Sequence, residues 1–593
     1  MSNQLTASFT YRDVLVTYLK PQWPRVLLMA ALLLSSIGFQ LINPQLLRLF
    51  IDSATSKGSL QPLYFAALLF VGLALANQAI VVLATYCSEN VAWTATNQLR
   101  SDLVAHCLAL DMAFHKARTS GELIERIDGD VDALSNFFSQ AVIQLLGNMI
   151  LVAGIIVLLL REDWRIGMAM SLFTACAFFI LVRMRGYATR FWVANMQKDA
   201  EFFGFIGEQL AGTEDVRANG ATGYVMHRFH HLLRGWLPVS RRAGLAGYSM
   251  WTTTLLLFGL GNALALAVGA YLWSSRVISL GTVYLIFYYT NLLNEPMEQV
   301  RGQLQQLQQA GAAVERVKQL FQMSPTISDG RGTTLPQGAL AVTFEDVSFG
   351  YNADDPILHH LNFHLPAGRV LGVLGRTGSG KTTLARLLLS LYDVQQGTIR
   401  IGAVPLRETR QRDLRKRIGM VTQDVQLFNA TVRDNLTFFN REINDEHILA
   451  VLREIGLYHW YTTLPQGLDT ELGSDGEGLS AGEAQLLAFT RVFLADPGLV
   501  ILDEASSRLD PATEKLIEQA IRKLLAGRTG IIIAHRLATV QRADDILVMA
   551  GGHILEHGER EELAANQSSH FYHLLQTGLE SEATLAAVQN KER

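Results

Sequence analysis

Six stretches of the chain contain no Asp, Glu, Lys or Arg: Val26–Leu47, Gly58–Ser88, Ala133–Leu160, Ile166–Val182, Ala243–Ser275 and Val277–Asn294. Each reaches or nearly reaches the roughly 20 residues that span a bilayer core. A helix in a soluble domain must turn a polar face to water, and these runs have no charged face to offer. They predict an all-α transmembrane domain of six helices in the first half of the chain. The 593 residues are too many for a single core, and their 49% apolar content is concentrated in that half, so at least two domains are expected.

The connections between the runs alternate in length. Arg48–Lys57, Arg161–Arg165 and the point around Arg276 are short; Glu89–Asp132 and Arg183–Arg242 are long, charged and helix-patterned. This pattern predicts short turns on one side of the membrane and long helical stalks on the other. Arg183, Arg185, Arg190, Arg241 and Arg242 flank spans four and five on the stalk side, as the positive-inside tendency expects. Arg161 and Arg165 run against it, with Glu162 and Asp163 between them. Tyr11–Pro24 is amphipathic and reads as an interfacial helix leading into the first span. Gln140, Gln144 and Asn148 recur every four residues and share one helix face, which must turn to other helices or to a wet cavity. Helix packing and substrate lining both account for them, while interfacial anchoring and ligand contact both account for the aromatic run Tyr284, Phe287, Tyr288 and Tyr289. No acidic residue lies inside a span, which argues against a proton relay. The N-terminus shows no cleavable signal pattern. Cys87, Cys107 and Cys176 are scattered and imply neither a disulfide framework nor a metal site, and a net charge of −4 points away from nucleic acid.

The second half has a different character. Glu295–Met323 reads as a polar helix, Ser324–Gln337 as a Pro- and Gly-containing linker, and an α/β pattern runs from Ala339 to about Leu575, followed by a loose tail from Glu580. The predicted domains are therefore 1–323, 324–338, 339–578 and 579–593. Within the α/β part, Gly375-Arg376-Thr377-Gly378-Ser379-Gly380-Lys381-Thr382, followed by Thr383, matches the phosphate-loop pattern G-x-x-x-x-G-K-[ST] in a strand–loop–helix context. A triphosphate needs many donors and little bulk. Glycines let backbone N–H groups converge, the helix N-terminus adds partial positive charge, Lys381 adds a full one, and the Thr382 hydroxyl can ligate Mg²⁺. Leu499–Glu504 is an apolar strand ending in two carboxylates, a Walker B pattern with Asp503 for Mg²⁺ and Glu504 to polarise water. Ile531–His535 is a second apolar strand, ending in His535 as a γ-phosphate contact, and Gln423 follows the strand Ile418–Thr422.

The order Tyr351, phosphate loop, Gln423, Leu479-Ser480-Ala481-Gly482-Glu483, Asp503-Glu504, Ser507-Arg508-Leu509-Asp510 and His535 resembles the α/β ATPase domain of ABC transporters, and six spans on long stalks resemble the membrane domain of exporter-type half-transporters. The resemblance covers nearly the whole chain. It implies that Tyr351 stacks on adenine and that Gln423 senses the γ-phosphate and joins Thr382 and Asp503 around Mg²⁺. It further implies that Glu504 and His535 serve catalysis, that Asp510 communicates with the opposite site, and that Ser480 through Glu483 contact ATP held by a partner chain. Stretches near Asp111–Thr119 and Ala211–Arg217 become coupling helices.

The implied protein is an ATP-driven exporter of amphipathic, drug-like or lipid-like molecules in the bacterial cytoplasmic membrane, with both termini and the ATPase domain cytosolic. An importer on the same fold and an ATP-gated membrane protein that does not transport are its rivals. One departure stands out. The family signature is Leu-Ser-Gly-Gly-Gln, whereas this chain has LSAGE. A carboxylate about 6 Å from a phosphate charge costs roughly 3 kcal/mol at an effective dielectric near 20. Because the chain's own Walker residues look competent, the mismatch points to a heterodimer with a different half-transporter as partner.

Overall fold

A computed structural model describes residues 15–56, 60–137, 139, 142–327, 329–330, 332–352, 355–473, 479–503, 511–534 and 537–576. Its contacts fall into two compact units, one of Met1–Leu108 and Ser120–Met323, the other of Ala109–Thr119 and Ser324–Arg593.

The first unit is helical. Its long helices are α1 (Trp23–Thr55), α2 (Leu60–Ala109), α3 (Val142–Glu162), α4 (Trp164–Ala211), α5 (Thr222–Ser274), α6 (Leu280–Leu292) and α7 (Asn294–Gln322). With 50, 48 and 53 residues, α2, α4 and α5 are about 70–80 Å long, more than twice a bilayer core. Span and stalk are thus single helices. Their apolar surface is widely exposed: Phe65, Leu68 and Leu75 on α2 are each 68% exposed or more, which suits a lipid solvent.

Among the described residues, five helices are long and apolar enough to cross a membrane, against the six spans expected from the sequence. The difference lies at the sixth span. There α6 has only 13 residues, about 20 Å, before the helix is interrupted at Leu293. Pro296 has no N–H to give the Leu292 carbonyl, so the ladder breaks there. Leu293 keeps helical angles and Met297 N–H reaches the Leu293 carbonyl, so the chain continues directly into α7. The expected third span takes in part of a short helix Asp130–Asn136 and most of α3, and Gln140 lies outside the described residues. Of the expected interfacial helix Tyr11–Pro24, Leu15–Gln22 forms one π turn and one 3₁₀ turn, and Trp23 and Pro24 open α1. Tyr18 in that segment is fully buried, with its hydroxyl donating to Asp102 at 3.0 Å.

Polar ties fix both ends of the bundle. At one end Arg48 pairs with Glu162, while Asp52 accepts from Gly281 N–H and the Ser279 hydroxyl. At the other, buried Asp130 receives a two-pronged hydrogen bond from Arg316 on α7. Tyr289 is fully buried, and its hydroxyl donates to the Leu41 carbonyl at 2.7 Å, so packing explains this member of the aromatic run.

In the second unit, strands β1 (Val342–Phe349), β2 (Leu358–Leu365), β4 (Gln396–Ile401) and β5 (Val404–Pro405) form an antiparallel sheet in the order β2-β1-β4-β5. A second sheet runs β12-β11-β3-β10-β9-β6. In it β3 (Val370–Gly375), β6 (Ile418–Val421), β9 (Leu499–Asp503), β10 (Thr529–Ile533) and β11 (Asp545–Ala550) are parallel, and β12 (His553–Glu559) is antiparallel at the edge. Short β7 (Ala430–Thr431) and β8 (Glu471–Leu472) pair separately. The parallel strands are apolar on both faces because each face is covered. Leu499, Ile501, Ile531 and Ile533 pack toward the antiparallel sheet and helix α8 (Lys381–Leu388). Val500, Leu502 and Ile532 pack toward α9 (Ala481–Ala495) and α10 (Pro511–Leu525).

Candidate nucleotide site

Ligands in parallel α/β sheets gather beyond the carboxyl ends of the strands. The register places Asp503, Gln423 and the phosphate loop there. Val373 on β3 pairs with Ile533 on β10, and Ile533 pairs with Asp503 on β9, so Asp503 and the phosphate loop leave the sheet at the same edge. Val421 on β6 pairs with Leu502, and Gln423 follows two residues later, exposed. Asp503 is buried, only 7% exposed. Glu504, Asp510 and His535 lie outside the described residues.

The loop between β3 and α8 has the form a phosphate cradle requires. Gly375, Gly378 and Gly380 have φ of +156°, +85° and +99°, and a Cβ at Gly375 would run into the Met549 carbonyl. Ser379 N–H bonds the Arg376 carbonyl at 3.1 Å, which closes the loop on itself. Lys381 is 5% exposed, and its ammonium donates to the carbonyls of Gly375 and Arg376 at 2.7 and 3.1 Å. That charge is anchored over the loop, where an anion would meet it. The Ser379 hydroxyl is buried and has no hydrogen-bond partner among the described residues. An orphaned hydroxyl beside an ammonium and a glycine cradle fits a phosphate-bearing ligand. Thr382, half-buried, follows Lys381 in the first turn of α8.

Tyr351 stands beside this loop. Its hydroxyl shares a hydrogen bond with Thr383 Oγ1 at 3.2 Å and accepts from Arg386 at 3.0 Å. Tyr392 meets it edge-on at 5.0 Å. Burial, and then the neighbouring Tyr351, push the Tyr392 hydroxyl above its ordinary pKa, with Arg386 opposing. Sequence reading gave no hint of the next contact: Lys116, from the short helix Met112–Ala117, places its ammonium 4.0 Å from the Tyr351 ring centroid. That helix falls in the stretch expected to be a coupling helix, as does Thr213–Ala218 in the other.

The LSAGE segment opens α9. The Ser480 hydroxyl accepts from Glu483 N–H at 3.2 Å, and the Glu483 carboxylate accepts from Ser480 N–H at 2.8 Å and from the Ser480 hydroxyl at 2.9 Å. This is a complete capping box. The carboxylate therefore folds back over its own helix N-terminus. Ser-x-x-Glu is itself the sequence code for such a box, and treating the segment only as a signature overlooks it. Gly482 is buried where any Cβ would strike Thr513 on α10, while Ala481 is exposed.

Arg491, two turns further along α9, was also not singled out by sequence. It donates to the carbonyls of Asn435 and Gln426 and stacks 4.7 Å over Phe438, which fixes the stretch after Gln423 against the signature helix. Burial pushes its pKa down to about 10.

Residues 26–297 match the family described as "ABC transporter transmembrane region", and residues 358–507 match that described as "ABC transporter". The chain is 29% identical to the uncharacterized ABC transporter ATP-binding protein YknV of Bacillus subtilis over 93% of this chain and 92% of that one. It is 30% identical to a fatty acid ABC transporter ATP-binding/permease protein of Mycobacterium bovis, covering 80% and 75%. It is 29% identical to an ATP-dependent lipid A-core flippase of Desulfotalea psychrophila, covering 88% and 91%. The structure of a bacterial Atm1-family ABC exporter with ATP bound superposes with a TM-score of 0.77 at 26% identity, covering 93% of this chain and 98% of that one.

Proposed function

The chain belongs to the ABC transporter family, with a transmembrane region fused to an ATPase domain, and from that premise we propose that it is one half of a heterodimeric exporter. It would carry amphipathic, drug-like or lipid-like molecules out across the bacterial cytoplasmic membrane by alternating access, driven by ATP binding and hydrolysis. The observation that carries the reading is the cradle of Gly375, Gly378, Gly380 and Lys381 beside an orphaned Ser379 hydroxyl, in a chain whose other unit is a lipid-facing helical bundle.

In this reading the loop amides and Lys381 hold the phosphates and Tyr351 takes the adenine. Thr382, Gln423 and Asp503 hold Mg²⁺, which supplies charge neutralisation on the phosphate oxygens. Glu504 orients and activates the attacking water, and His535 contacts the terminal phosphate. Glu504→Gln should retain ATP binding while slowing turnover by about 10²–10⁴-fold, the usual loss on removing a general base. Near-parental turnover in that variant would remove Glu504 from the role. Transport itself is tested by ATP-driven uptake into inside-out vesicles, where the cytosolic face is outward.

Heterodimerisation is supported by the geometry of LSAGE. The capping box holds the Glu483 carboxylate over the N-terminus of α9, where its charge offsets the positive helix end that a partner's nucleotide would need. A site completed by this segment starts at a disadvantage, and one such site is easier to tolerate than two. Co-expression with the neighbouring reading frame tests this. Glu504→Gln here should abolish turnover of the mixed dimer, while the equivalent change in the partner should matter little. Robust substrate-stimulated turnover by the pure homodimer, unchanged when Ala481-Gly482-Glu483 is restored to Gly-Gly-Gln, would refute it.

A further inference from the structure

We propose that the membrane unit contains a binding site for the head of an organic cation that donates hydrogen bonds, an ammonium or guanidinium group, with Glu89 as its counter-charge. The proposal rests on the export reading only for its physiological meaning; the site stands on its own geometry. A cavity of about 260 Å³ lies between α1, α2, α3 and α7, and a second concavity of about 320 Å³ runs along α2. Glu89 lines both, and no Lys or Arg lines either. Glu89 makes no ion pair or hydrogen bond among the described residues, and it directly follows the uncharged run that ends at Ser88. A half-buried carboxylate at such a place, without a cationic partner, is a functional-site signal.

The chemistry of the lining sets the sign and the kind of ligand. The hydroxyl hydrogens of Ser36, Thr85 and Ser88 are committed to Asn77, the Val81 carbonyl and the Ser139 carbonyl. One amide hydrogen each of Gln40 and Asn148 is committed, to the Ser36 hydroxyl and the Gln299 side-chain carbonyl. The Gln40 and Asn148 side-chain carbonyls accept from no described residue. The amides of the inner cavity offer carbonyls and hydrogens in equal measure, so Glu89 at the rim sets the sign of the ligand and the carbonyls of Gln40 and Asn148 can accept from its hydrogens. Outside it, Tyr86 and Trp93 stand three residues before and four after Glu89, on the same helix face, and are 67% and 59% exposed. Two rings flanking a carboxylate favour a cation electrostatically. At about 260 Å³ the inner cavity is smaller than sites that enclose whole drug-sized ligands, so it takes a polar head and leaves an apolar tail to the lipid.

The test uses the full-length chain in nanodiscs, with its partner if one is needed, and three probes of equal tail length: dodecylguanidinium, dodecyltrimethylammonium and dodecanoate. Binding should be strongest for dodecylguanidinium, weaker for the trimethylammonium probe that has no hydrogen to donate, and weakest for dodecanoate. Glu89→Gln should weaken dodecylguanidinium binding by roughly tenfold or more and leave dodecanoate unaffected or improved, while Glu89→Asp should restore most of the preference. A wild-type chain that binds dodecanoate as well as the guanidinium probe overturns the proposal without any variant. So does a Glu89→Gln protein that melts like the parent and keeps full guanidinium binding. Glu89-dependent binding without ATP-driven vesicle uptake supports the site and counts against export; ATP-driven uptake of other compounds without cation binding does the reverse.

Discussion

At the scale of single residues, the nucleotide pocket and the signature each carry a prediction. The adenine stacking proposed for Tyr351 would need a ring face, and Lys116 holds one at 4.0 Å. A cation–π contact at an exposed site contributes about 0.5–1 kcal/mol, so Lys116→Ala should tighten ATP binding by roughly 2–5-fold. Titration with a fluorescent ATP analogue reads this directly, and unchanged or weaker binding would show that the two do not compete. At the signature, Gln serves a capping box as Glu does. Glu483→Gln should therefore hold stability within about 0.5 kcal/mol, while Glu483→Ala should lose about 1 kcal/mol of cap. If charge is what handicaps the site, turnover of the mixed dimer rises in both variants, since each removes the carboxylate, while only the Ala variant loses the cap. Thermal melting and ATPase rates together separate the two effects.

Among elements, the tie between α7 and the short helix Asp130–Asn136 is the sharpest case. Asp130 is 3% exposed, and Arg316 bridges both of its carboxylate oxygens. The hydrogen bond to Asp130 raises the Arg316 pKa, so the guanidinium stays charged throughout the accessible range. Removing the arginine strands a buried carboxylate. Arg316→Met should cost about 2–4 kcal/mol, toward the lower end because the Arg316 side chain is itself 46% exposed. Adding Asp130→Asn should recover most of that loss, since the stranded charge is then gone. Melting curves of the single and double variants in detergent check it; equal destabilisation by both would mean that the pair is not coupled. The same scale explains why α6 stops short. Pro296 is plain in the sequence, but an uncharged run does not show whether its helix is one piece.

For the molecule as a whole, the helix ends give a topology that can be labelled. Single cysteines in a background lacking Cys87, Cys107 and Cys176 should react with impermeant reagent from outside intact cells at positions in 48–57 and 161–165. A cysteine replacing Ser120 should react only after the membrane is opened. Labelling of that cysteine from outside would overturn the arrangement of spans and stalks.

The sequence by itself determined the class of each half. Charge-free runs of span length leave a helix no solvent but lipid, and the phosphate-loop pattern leaves a backbone little to do but cradle an anion. Both signals are local, carried by consecutive residues. What only the tertiary structure decided was how distant residues meet. Glu89 came to line a cavity together with Gln40, Asn148 and Gln299, Lys116 came to lie on Tyr351, and Arg491 came to hold the stretch after Gln423. Such meetings depend on register and packing between elements far apart in the chain, and no short stretch of sequence encodes them. The Glu483 fold-back is the instructive middle case. Its code is local and legible, but its consequence, a carboxylate held over the N-terminus of its own helix, emerges only when the side chains are in place.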